Sequence, residues 1–124
     1  MFERLGAPLA NIRWSWGGVR SDGAVFLRVW QNETQRRDGN LWVQLTHHRE
    51  FVGNERDLGY QERNHHVELV RAGAPCYMIM CEARDITKVP RVIKSFNERE
   101  LFVADEFAEH EGDTWVIVKR RELA

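Results

Sequence analysis

The sequence predicts an α+β domain that is mostly β, a small curled sheet or β-barrel of six or seven short strands with one main helix. Three observations predict it. Short segments with two-residue hydrophobic alternation occur at 24–30 and 41–47, and 114–120 reads as a further short strand. The run Cys76 to Ala83 is apolar on both faces, as in a central strand covered on both sides. One segment, about 55–72, carries helix start and stop signals over a helical length. Strands this frequent in 124 residues favour a sheet that closes, because closure removes exposed edges.

The elements follow in order. Residues 2–10 read as a short N-terminal helix or turn that Pro8 ends or kinks. A first strand is expected at 13–20, followed by the turn Ser21-Asp22-Gly23. In 24–30, Val25, Leu27 and Val29 share one face, and Phe26, Arg28 and Trp30 share the other. Residues 31–40 read as a polar loop. In 41–47, Leu41, Val43 and Leu45 face one way, and Trp42, Gln44 and Thr46 the other. If these two strands pair, their aliphatic faces coincide, and the opposite face combines large aromatics with hydrogen-bonding groups.

The main helix has Asn54 as N-cap, places His66, Leu69 and Val70 on one face, and stops at Gly73. Residues 91–96 and 101–107 are further strands. Glu111-Gly112-Asp113 is a hairpin turn signal, and 114–120 closes the sheet.

The length fits one domain, 1–124, with enough chain to bury a core without metal or disulfide staples. A hydrophobic share of 43% and a charged share of 30% are those of a globular chain. The net charge of −1 excludes a uniformly basic nucleic-acid coat but not a local basic face. Basic residues group at Arg36-Arg37, Arg84 and Lys88, Arg91 and Lys94, and Lys119 to Arg121, with acids interleaved.

Cys76 and Cys81 would point to opposite faces of a strand, so a bridge between them is not expected. No secretory h-region or membrane-spanning run is present in the sequence as read, and a cytoplasmic location is the expectation.

Four of the five tryptophans (Trp14, Trp16, Trp30 and Trp42) fall between positions 14 and 42. Core packing accounts for any one of them. As a group they could wall a pocket for a flat or cationic ligand, with Ser15, Arg28 and Gln44 supplying hydrogen bonds.

The histidines form two adjacent pairs, His47-His48 and His65-His66, plus His110. Adjacent histidines on a strand diverge, and no metal-ligand spacing is present, so neither a metal nor a cofactor is expected. Phosphate-loop, nucleophile-elbow and dinucleotide-binding motifs are absent. A small enzyme using His47, His48 or His65 beside a carboxylate stays open as a second reading. A protein-interaction or accessory module without a pocket is a third.

The order of Trp-Ser-Trp-Gly-Gly-Val at 14–19 after a short helix, then Asp22-Gly23 and a strand, a helix-bearing connection, and the strand at 76–83 resembles the PUA-like superfamily. That superfamily includes the EVE, YTH, ASCH and SRA domains. The resemblance spans about two-thirds of the chain and rests on order and character rather than a diagnostic motif. It implies a small curled barrel that holds a modified base of DNA or RNA in an aromatic pocket, in some cases alongside a nuclease. Trp14 or Trp16 would match the family's tryptophan after the first helix. The Asp22-Gly23 turn inverts the family's Gly-Asp order, and the 31–64 connection is long for the family. The expected function is therefore a nucleic-acid-binding reader of a modified base, walled by Trp14, Trp16, Trp30 and Trp42.

Overall fold

A computed structural model describes residues 5–7, 9, 16–46, 58–83, 93–97, 99–110 and 112–123. It is mostly β with one helix. The strands are β1 (Gly17–Val19), β2 (Val25–Trp30), β3 (Thr34–Arg37), β4 (Asn40–Gln44), β5 (Cys76–Ala83), β6 (Ile93–Phe96), β7 (Glu100–His110) and β8 (Asp113–Leu123). The helix, α1, spans Leu58–Arg71. All eight described strands join one sheet in the order β1-β2-β5-β7-β8-β4-β3, with β6 beside β5.

Among the described residues, hydrogen bonds do not close this sheet into a barrel. It curls nonetheless. Val25, Leu27 and Val29 of β2 share one core with Val43 of β4 and Leu45, although β5, β7 and β8 lie between the two strands in the sheet order. Val67 and Val70 of α1 fill the same core. The two aliphatic faces thus coincide, but by facing one core across a curl. β2 pairs in parallel with β5, and β4 pairs with β3 and β8.

A second, smaller core lies on the other side of the β2–β5 half. It contains Ala7, Ala24, Phe26, Ile79, Cys81 and Leu101, with Leu5, Leu9, Tyr77 and Trp30 packed against it. β5 is therefore covered on both faces, as its unbroken apolar run requires. Cys76 belongs to the first core and Cys81 to the second, and both thiols are free.

Turn chemistry sets the local boundaries. Gly73, at φ +113°, ends α1. Its N–H donates to the Val70 carbonyl at 3.0 Å, and the Ala74 N–H to the Leu69 carbonyl at 3.2 Å, the paired bonds of a Schellman cap. Asn97 joins β6 to β7. Its N–H bonds the Met80 carbonyl at 2.9 Å, and its Oδ1 accepts from the N–H groups of Arg99 and Glu100 at 2.9 and 3.0 Å.

Two expectations need correction. Residues 31–40 are not simply a loop: Thr34 to Arg37 form β3, joined to β4 by Asp38-Gly39, with φ of 53° and 78°. That pair of positive φ angles suits a two-residue hairpin. The strand escapes hydrophobic reading because it is a polar edge with no buried side chain. Eight strands lie among the described residues, rather than six or seven. Leu5 and Gly6 form a turn, and most of the expected helix at 2–10 lies outside the described residues, as do 13–15 of the first strand and 51–57 at the helix start.

Candidate functional site

The β2 half and the β4 half present different outer faces. Directly opposed residues in an antiparallel pair share a face. Gln35 opposes Trp42, Arg37 opposes Asn40, Trp42 opposes Ile117, and Gln44 opposes Trp115. Trp115 in turn opposes Ala108, and Asp113 opposes His110. These residues make one continuous outer face over β3, β4, β8 and the end of β7. No side chain of this face belongs to either core cluster.

At the centre of the face one cation lies against two indoles. The Arg37 guanidinium carbon lies 5.5 Å from the Trp42 ring centroid and 5.7 Å from that of Trp115. His110 meets Trp115 edge-on, with ring centroids 6.4 Å apart. Trp42 and Arg37 are half-buried, whereas Trp115 is 6% exposed. Both indoles are large amphipathic surfaces whose quadrupoles hold the guanidinium in place.

Hydrogen bonds brace the upper edge of this face. Gln44 Nε2 donates to the Thr46 carbonyl at 2.8 Å and to Asp113 Oδ2 at 3.3 Å. Thr46 Oγ1 donates to Asp113 Oδ1 at 2.8 Å and accepts from the Thr114 N–H at 2.9 Å. Thr114 Oγ1 donates to Glu109 Oε1 at 2.9 Å, and Arg71 donates to both Glu109 and Thr114. Asp113 and Thr114 are buried, so these bonds replace the water that burial removes. With Nε2 committed, Gln44 would meet a ligand donor through Oε1.

On the far side of that network, α1 and the β7–β8 hairpin flank a polar cleft of about 330 Å³ that includes Tyr60, His65, Arg71 and Glu109. His65 is exposed there and His66 is buried, the divergence expected of adjacent residues. His47 and His48 lie outside the described residues, as do Trp14 and Ser15. Among the described residues no three His, Cys, Asp or Glu side chains gather to hold a metal ion.

The other sequence-selected residues go elsewhere. Trp30 packs on the second core, and Phe26 is buried under it, stacked on Tyr77 at 5.1 Å with the Arg20 guanidinium over both rings. Trp16 is tied to the helix. Its N–H donates to Glu62 Oε1 at 3.1 Å, and its ring lies 5.7 Å from the Arg63 guanidinium. Arg28 stays on β2, where its N–H donates to the Trp16 carbonyl at 2.8 Å. Of the described wall and reader residues, Trp42 and Gln44 share a face of β4, and Arg28 and Trp30 share a face of β2. The six-residue face inferred from strand parity is divided, because β2 and β4 are not neighbours in the sheet.

Comparison with protein-family models, with curated proteins and with solved structures finds no match for this chain. Two residues of the outer face were missed in the sequence, and both left a signal. Trp115 alternates with Thr114 and Val116, so parity puts it opposite the aliphatic face. Arg37 precedes the Asp-Gly pair, the strongest short hairpin signal.

Arg63 was also missed, because a charged residue on a helix reads as solvated. It is 2% exposed. Nη1 donates to the Leu45 carbonyl at 2.9 Å, and Nη2 to the carbonyls of Trp16, at 3.4 Å, and Arg28. Burial pushes its pKa down to about 10, which leaves it charged at neutral pH. The thiols are inert packing: burial pushes Cys76 up to about 12 and Cys81 up to about 11. Among the described residues no helix is long and apolar enough to cross a membrane.

Proposed function

We propose that this chain is a nucleic-acid-binding module that recognises bases by stacking on the outer face of β3, β4 and β8. The observation that carries the reading is the Arg37 guanidinium set against both Trp42 and Trp115 on a sheet face outside both cores. An indole presented this way offers a base a flat partner, and stacking contributes about 1–3 kcal/mol per base. Gln35 and Gln44 flank Trp42 and supply amide groups for base edges.

The PUA-like resemblance supports the same reading, as does the curl of the sheet around α1. A modified base as the preferred ligand, a cytoplasmic location and a nuclease partner belong to this proposal. Trp16 and Trp30 take structural roles in it, and Trp42 becomes the principal wall.

The test is fluorescence anisotropy with labelled DNA and RNA oligonucleotides at low salt, with and without modified bases. The expected result is saturable binding that Trp42→Ala weakens about tenfold, with the thermal melt retained. Absence of binding, or equal binding by Trp42→Ala, overturns the reading. Cleavage of the oligonucleotide would favour the enzyme reading instead, with His65 in the polar cleft as the residue to replace.

A further inference from the structure

We infer that the outer face selects single-stranded or unpaired nucleic acid over duplex, an inference that rests on the stacking function proposed above. The argument is one of charge. Binding to a duplex draws most of its affinity from Lys and Arg neutralising backbone phosphates. The outer face is poor in such groups. Among the described residues that share this face by strand pairing and parity, the formal charges are two cations, Arg37 and Lys119, and one anion, Asp113. Arg120, the next cation along β8, is in an ion pair with Glu122 at 2.5 Å. The chain as a whole carries −1.

Arg37 is held in one place by its two indoles, so the in-plane N–H edge of its guanidinium can meet a single phosphate but not track a duplex backbone. What the face does present is aromatic area and amides: Trp42, Gln35 and Gln44. In a duplex the base faces are already stacked on one another, and a flat sheet cannot reach them. A single strand splays its bases, and an aromatic sheet face accepts them whatever the sequence. A ligand that must bind through base faces is therefore a ligand whose bases are free.

The experiment compares one labelled 12-nucleotide strand with the same sequence as a blunt duplex, by anisotropy, at 50 and 200 mM salt. The single strand is expected to bind at least tenfold more tightly. Its affinity is expected to follow salt with a log–log slope of magnitude below about 2, the value for two or three neutralised phosphates. Trp42→Ala should abolish the preference, and Trp42→Phe, which keeps a ring, should retain most of it. Circular dichroism confirms that both variants fold.

Duplex binding as tight as single-strand binding, or a slope steeper than about 4, overturns the inference. If that duplex binding still depends on Trp42, the proposed function stands without it. Binding to neither form overturns both.

Discussion

Arg63 Nη1 donates to the carbonyl of Leu45 at 2.9 Å, from a helix to the residue that follows β4. Through Nη2 the same guanidinium reaches the carbonyls of Trp16, just before β1, and Arg28, in β2. β2 and β4 lie towards opposite ends of the hydrogen-bonded order. One buried cation thus bridges β2 and β4 across the curl, where no direct backbone ladder joins them among the described residues.

That arrangement predicts a large effect from one substitution. Arg63→Met fills a similar volume but removes the guanidinium from the Leu45 and Arg28 carbonyls, at about 1–3 kcal/mol for each buried bond lost, while the Trp16 carbonyl keeps the Arg28 N–H. A loss of about 3 kcal/mol in urea unfolding is expected. Arg63→Lys should lose less, since an ammonium still meets one carbonyl. A loss under about 1 kcal/mol for Arg63→Met would show that the strut is dispensable.

Gly17 sits where the same seam is tightest. A Cβ at this position would lie 2.4 Å from the Phe26 carbonyl oxygen and 2.9 Å from the Leu27 side chain. Neither group can move without disturbing β2. Gly17→Ala is therefore expected to destabilise by about 2 kcal/mol or more. Gly39→Ala is the control. That position has φ +78° but open space around it, so only backbone strain of about 1 kcal/mol applies. Equal losses at the two glycines would contradict the close approach.

His66 should make stability depend on pH. It is buried against Gly17 with Nδ1 lacking a hydrogen-bond partner among the described residues. Burial lowers its pKa below 6.5, Glu62 opposes the shift, and Arg63 and His65 reinforce it. The unfolded chain then binds the proton more readily than the folded one. Stability from this group is full above pH 6.5 and declines as pH falls from there toward the lowered folded pKa. Urea midpoints at pH 7.5 and 5.5 measure the decline. His66→Gln should shrink it, and an unchanged decline in that variant would assign it to other groups.

Much of the fold was legible because local rules and burial agreed. β5 reads directly, since a strand covered on both faces must be apolar on both, and Cys76 to Ala83 is. The aliphatic faces of β2 and β4 were legible from parity, as was Gly73 as a helix stop. β3 was not legible as a strand, because an edge with no buried side chain needs no hydrophobic alternation. Nor was the buried role of Arg63, whose satisfaction comes from carbonyls that are distant in sequence.

The candidate site divides in the same way. By itself the sequence determined which side chains of each strand share a face: Trp42 with Gln44, Phe26 with Arg28 and Trp30, Trp115 with Ile117. Alternation is a property of the backbone and needs no partner. Only the tertiary structure decided which of those faces are joined. Strand order is set by long-range pairing, and here β4 chose β8 and β3 over β2. That choice buried Phe26 in a second core, gave Trp16 to the helix, and brought Trp42 and Trp115 both within reach of Arg37.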